Sequence, residues 1–156
     1  MKHQNLLLAL VIGLAFLGLA DAWYLAQSAY TGVALTCNIG GLDGCNTVAQ
    51  SPYAHLFGIP LGVYGAAFYA IVFILAAVAL AQPGLHARRG LFLLGVLGAA
   101  ASVVFLLIQF FLIKALCIYC IGSAVIAFLL CWITAVLRRN PHRTVEQVAV
   151  VEPWLP

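Results

Sequence analysis

Apolar residues dominate four long stretches of the chain, and polar residues collect between them. The first stretch, from Leu6 to about Gln27, is almost entirely Leu, Ala, Gly, Val and Ile, broken by one acid, Asp21. The second runs from about Ile59 to Ala81 and is opened by Gly58-Ile59-Pro60; proline is tolerated in a first helical turn, where its missing N–H is not needed. Gln82-Pro83-Gly84 stops it, a third stretch covers 91–113, and a fourth covers 116–137 after a tight turn at Lys114-Ala115. Each is close to the length of about 20 apolar residues that an α-helix needs to cross the hydrocarbon layer. Between the first two, residues 28–57 gather the turn formers Gly32, Gly40, Gly41, Asp43, Gly44, Asn46, Ser51 and Pro52, which marks a large loop outside that layer. Residues 138–156 form a short tail, polar at first, expected to be partly disordered. The pattern predicts an all-α, integral membrane bundle of four helices with one large loop between spans one and two.

Composition sharpens the picture. Of 156 residues, 65% are hydrophobic and only 7% charged, whereas a soluble domain carries roughly a quarter charged residues to cover its core. A large soluble domain is excluded. The net charge of +3, seven Lys and Arg against four Asp and Glu, is too small and too scattered for a nucleic-acid footprint. The cations do carry orientation. Lys2, Arg88, Arg89, Arg138, Arg139 and Arg143 fall on one side of the four runs and Lys114 on the other, so both termini are expected in the cytoplasm, with loop 28–57 and the Lys114 turn exoplasmic. Lys2, the apolar run from Leu6 to Leu19 and Ala20-Asp21-Ala22 imitate a signal peptide. The apolar pattern continues through Trp23-Tyr24-Leu25-Ala26, which favours a retained span ending in an interfacial aromatic belt.

The five cysteines are the most specific feature. Cys37 and Cys45 flank C-NIGGLDG-C in the exoplasmic loop, where Gly40, Gly41 and Gly44 favour mobility. Cys117 and Cys120 form C-I-Y-C at the head of the fourth span. Both couples therefore meet the same membrane face. A Cys at a helix N-terminus faces the positive end of the helix dipole, which stabilises its thiolate, and the exoplasmic side is where disulfides persist. A disulfide relay needs one couple that can meet a partner in water and one fixed beside an electron acceptor; at a membrane surface a lipid-soluble quinone suits that acceptor. Three other readings stand beside this one. Cys37 and Cys45 can form a plain loop clamp, C-I-Y-C can be fortuitous, and four thiolates can hold zinc in a metal-binding or metal-transport protein, although the wide first spacing suits zinc poorly. Cys131, about 21 Å deeper along the helix at 1.5 Å per residue, reads as core packing.

Taken together, C-NIGGLDG-C-N-T-V-A-Q-S-P-Y, then F-G-I-P-L-G-V-Y-G, then C-I-Y-C at the fourth span, resemble the vitamin K epoxide reductase family in its bacterial form, over nearly the whole chain to about Leu137. The resemblance implies a bundle around a quinone pocket with the loop as a lid, in a bacterial inner membrane with the active site on the periplasmic face. It assigns Cys117 and Cys120 as the pair next to the quinone, Cys120 the closer, and Cys37 and Cys45 as the shuttle pair. Ser51 matches the family's loop Ser or Thr that bonds the quinone oxygen or holds the lid; its plain alternative is a turn former before Pro52. The implied reaction reoxidises a thioredoxin-like periplasmic dithiol protein, here a separate one, and passes electrons to a ubiquinone- or menaquinone-type acceptor without a metal. Tyr53, Phe57, Tyr119, Tyr64 and Phe111 are further candidates to line the pocket, with an interfacial belt as the alternative. Asp21, an acid within a span, is a candidate proton relay or partner of Lys114. Gly62 with Ala66 and Gly95 with Ala99 have the small-xxx-small spacing of close helix contacts.

Overall fold

The computed structural model describes residues 2–37, 44–82 and 85–139. Among them the order is α1 (Lys2–Thr31), α2 (Cys45–Ala49), a 3-10 turn (Pro52–Ala54), β1 (His55–Leu56), β2 (Ile59–Pro60), α3 (Leu61–Ala81), α4 (Leu85–Leu107), a π-helix (Ile108–Ile113) and α5 (Ile118–Arg139). The helices α1, α3, α4 with its π continuation, and α5 are each long and apolar enough to cross a membrane. The protein is a four-helix membrane bundle, as the hydrophobic pattern predicts. Phe16, Leu17, Leu97 and Trp132 are each about three-fifths or more exposed, a surface that lipid solvates and water does not.

The element boundaries depart from the pattern for local reasons. α1 runs past Gln27 to Thr31 and ends where Gly32 takes φ +69° and its N–H bonds Ser28 O at 3.0 Å, a left-handed glycine stop. The second helix starts at Leu61 instead of Ile59, because Ile59 and Pro60 are used in a two-residue antiparallel pairing, His55 with Pro60 and Leu56 with Ile59. The turn between these strands holds Phe57 and Gly58 at φ +51° and +80°, the double positive φ of a type I′ hairpin. His86 to Arg89 belong to the first turns of α4, not to a loop, and Arg138 and Arg139 to the last turn of α5, not to the tail. Gly40 and Gly41, whose freedom underlies the mobility expected of the loop, and residues 140–156 of the tail lie outside the described residues.

Helix association in lipid lacks the hydrophobic drive available in water and depends on close packing. Contact is heaviest between α1 and α3 and between α4 and α5. The core joins Leu8, Val11 and Ala15 of α1 to Val72 and Ala76 of α3, Leu91 of α4, and Leu130, Ile133 and Leu137 of α5. Two glycines let helix backbones come close. A Cβ on Gly62 would lie 2.6 Å from Ala26 N in α1, and one on Gly95 would lie 2.9 Å from Cys131 Cα in α5.

The two ends of the bundle differ chemically. At one, Arg88 is 7% exposed and its Nη2 donates to Gln4 Oε1 at 3.0 Å, while the Arg138 guanidinium lies 4.7 Å from the Phe92 ring centroid. The start of α1, the start of α4 and the end of α5 thus share the arginine end. Residues 32–37 and 44–57, the π-helix and the start of α5 share the other, which is the cysteine end.

Candidate functional site

The site grows from the way α4 stops. Six residues of π-helix widen its last turn, a local device frequent at functional sites, and Lys114 then takes the left-handed conformation at φ +56°. The backbone oxygen of Gln109 accepts the N–H of Lys114 and that of Ala115, the latter at 3.3 Å. Its side-chain Oε1 accepts the Cys117 N–H at 3.0 Å. Cys117 is thereby fixed one residue ahead of α5, and its carbonyl accepts the Ile121 N–H at 3.0 Å. Cys117 and Cys120 are free thiols separated by one helical turn.

The loop comes down onto this turn. Cys37 and Cys45 are joined as a disulfide with Cα atoms 6.1 Å apart. Asn46 clasps Leu35 from both sides, its Oδ1 accepting Leu35 N–H at 2.8 Å and its Nδ2 donating to Leu35 O at 3.1 Å. Tyr119 OH donates to Thr36 O at 2.8 Å, and its ring lies 5.1 Å from that of Tyr24. Gly44 sits so close to the turn that an added Cβ would be 2.8 Å from Ala115 Cβ and 2.9 Å from Leu116 N. As a result Cys45, fully buried, and Cys117, 1% exposed, belong to one packed cluster, with Cys37 and Cys120 against its edge.

Beside the cluster a cavity of 370 Å³ opens between the helices under the loop, within the size range of sites for small organic molecules. Its walls are mostly apolar, from Leu25 of α1, Phe68 of α3, Leu97 of α4 and Ala127 of α5. Cys120 lines it and Cys117 does not. Two buried polar groups reach it: the Gln109 amide, and the Tyr69 hydroxyl, which donates to Ser123 O at 2.8 Å and lies 2.8 Å from Ser123 Oγ. These residues fit a flat, largely apolar ring compound with oxygen at its edge.

Hydrogen bonding from the Cys120 side chain holds the Cys117 thiol below the ordinary thiol range, at about 7. Burial acts against this, backbone N–H groups of Cys120 and Tyr119 assist it, and the Asp21 charge opposes it. The thiolate is the nucleophile, so in the reduced protein the alkylation rate of Cys117 should climb through about pH 7 and level off above it. Peptide mapping after iodoacetamide pulses across pH 5–9 checks this; a midpoint of 8.5 or more, as for a free cysteine, would contradict it.

The structure brings some of the expected site residues to the cavity and leaves others elsewhere. Ser51 and Tyr53 line it, as does Tyr64, whose OH donates to Leu56 O at 3.1 Å. The Ser51 hydroxyl donates to Val48 O at 2.7 Å, so its single proton is engaged within the loop. Phe57 is not a lining residue: it sits at the hairpin tip, 91% exposed. Tyr119 is turned to the loop strand at Thr36, and Phe111 packs on Phe110 at 5.0 Å between centroids. Asp21 Oδ2 is buried without a hydrogen-bond partner and is not paired with Lys114. Cys131 lies far along α5, under Gly95. A four-thiolate metal site needs all four sulfurs free, and here Cys37 and Cys45 are bonded to each other. Gln109, Tyr69 and Ser123 were not anticipated. A lone Gln within V-V-F-L-L-I-Q-F-F-L-I is a visible signal, since an amide in an apolar span requires a partner; Tyr69 and Ser123 carry no such mark.

Fold and site together define a four-helix membrane protein with two cysteine couples packed at one end beside an apolar cavity. Residues 9–135 match the vitamin K epoxide reductase family, and the chain belongs to it. It is also similar to the thiol-disulfide oxidoreductase LTO1 of Arabidopsis thaliana, 35% identical over 116 residues, which cover 69% of this chain and 30% of that protein. The chain therefore spans about a third of the length of this relative.

Proposed function

We propose that the protein is a membrane thiol oxidoreductase that takes electrons from an exoplasmic thioredoxin-fold dithiol and delivers them to a quinone of the ubiquinone or menaquinone type, sustaining disulfide formation in that partner. In this reading the membrane is a bacterial inner membrane, the arginine end faces the cytoplasm in line with the positive-inside rule, and the cysteine end faces the periplasm. The observation that carries it is the division of labour between two sulfurs one helical turn apart: Cys117 packs with Cys45 of the loop disulfide, and Cys120 opens to the cavity.

The electron route follows from burial. Cys37 is half-buried and Cys45 fully so, which favours Cys37 as the sulfur that meets the partner and Cys45 as the one that exchanges with Cys117. A partner thiolate attacks Cys37, a mixed disulfide forms, and Cys45 leaves as thiolate; the second partner thiol then resolves the mixed bond and departs oxidised. The reduced loop pair repeats the exchange on the Cys117–Cys120 disulfide. The dithiol so formed gives two electrons to the quinone, which takes up two protons as it becomes quinol. Ser51 and Tyr53 line the loop side of the cavity, where the ring oxygen would lie, and Ser51 can donate to that oxygen only by releasing Val48 O. The cavity-lining Tyr69 hydroxyl and the nearby Asp21 are the groups suited to pass protons.

Full-length protein in lipid nanodiscs, given a reduced thioredoxin-fold donor and a short-chain quinone, is expected to form one quinol per partner disulfide. A donor that stays reduced in the presence of quinone would overturn the reading.

A further inference from the structure

Building on that reading, we propose that Gln109 is a positioning residue that holds negative charge on the cavity-facing sulfur: its amide N–H stabilises Cys120 as the leaving thiolate when the Cys117–Cys120 disulfide opens. Gln109 is 3% exposed. Its side-chain oxygen receives the Cys117 N–H at 3.0 Å, and a backbone N–H can only donate, so the orientation of the amide is fixed. A primary amide has one oxygen acceptor and two N–H donors. With the oxygen on Cys117, the NH2 is the group left to serve Cys120, which follows Cys117 by one turn of α5. Both residues line the cavity. Burying an amide among Ile, Phe and Leu side chains is costly unless its hydrogen bonds are met; the oxygen is met at the backbone of one redox cysteine, and the NH2 shares the cavity with the other.

The chemistry gives this placement a purpose. When a loop thiolate attacks Cys117, a loop–Cys117 disulfide forms, the Cys117–Cys120 bond breaks, and the electron pair passes to Cys120. Exchange is faster when the departing thiolate is better stabilised, and hydrogen bonds to an ionised acceptor are the strong ones. Attack by the second loop thiolate then restores the loop disulfide and frees Cys117, leaving both electrons on the dithiol beside the quinone. Stabilising the reduced pair also makes it more oxidising toward the loop.

The test separates the amide N–H from the amide oxygen. Q109E keeps an oxygen for the Cys117 N–H and removes the N–H2 donor; Q109M removes both at similar length. The full chain in nanodiscs is equilibrated anaerobically with glutathione buffers in the absence of quinone, and the oxidised fraction of Cys117–Cys120 is read by alkylation and mass spectrometry. Both variants are expected to be about tenfold easier to oxidise, a potential about 30 mV more negative. A wild-type equilibrium constant in Q109E overturns the proposal whatever Q109M does, because the oxygen then accounts for all that Gln109 supplies. Should Q109E fail to assemble, Q109M decides by the same criterion. Quinone takes no part in the measurement, so a protein that never reduces quinone would refute the function proposed above and leave this result standing.

Discussion

Replacing Cys120 by serine is expected to reduce quinone reduction by a factor of about 10³ or more and, at the same time, to accumulate a covalent link between the loop and α5. The loss follows because the two-electron carrier is a pair of sulfurs, and an alcohol neither forms the disulfide nor yields an anion near neutral pH. The link follows from geometry. Cys117 remains a free thiol, and it is packed in one cluster with Cys45. Its attack on the Cys37–Cys45 disulfide forms a Cys117–loop bond and releases the other loop thiol, with no Cys120 to resolve it. Non-reducing digestion and mass spectrometry should find that cross-linked peptide, with Cys45 as the loop member. Full quinone reduction by C120S would remove the electron route altogether, and retained activity together with an intact loop disulfide in C117S would reduce Cys37–Cys45 to a clamp.

The second large effect is structural. Gly62→Val should destabilise the bundle by about 3 kcal/mol, the upper range for forcing atoms into a packed interior. The new Cβ would meet the backbone of one turn of α1, 2.6 Å from Ala26 N and 2.9 Å from Ala22 O, and helix backbone cannot turn aside as a flexible side chain can. The helices must separate, and since Gly62 and Ala22 both line the cavity, quinone affinity should fall with stability. Gly122→Ala in α5 is the control. Nothing lies within 4 Å of its added methyl, and alanine is favoured over glycine in a helix by roughly 0.5–1 kcal/mol. Thermal unfolding of both in detergent makes the comparison; a wild-type midpoint for G62V would show that the helix contact tolerates separation.

The four spans and the pairing of cysteines at one end were legible because both depend on one-dimensional features: long apolar runs, cations at one set of run ends, and cysteines at fixed positions relative to them. The rest depends on contacts between distant segments. Tyr119 looks like a pocket aromatic when only its neighbours in C-I-Y-C are considered, yet Thr36 O captures its hydroxyl and turns it to the loop. Phe57 reads as part of F-G-I-P, and only the strand pairing of Leu56 with Ile59 puts it at a hairpin tip. Arg88 precedes the third apolar run at 91–113, yet α4 starts at Leu85 and buries it against Gln4. Gln109 is conspicuous in the sequence, but its purpose is not, because an unbroken α-helix would not have formed the widened turn that sets its amide against Cys117.

Having Cys117 and Cys120 face different surroundings has a consequence for selectivity. In the proposed route, water-borne thiols would act from the loop side and the lipid-borne oxidant from the cavity side, with the Cys117–Cys120 couple as the conductor between them. Such insulation would guard the proposed route against a short circuit, in which a reduced partner discharges straight onto the quinone.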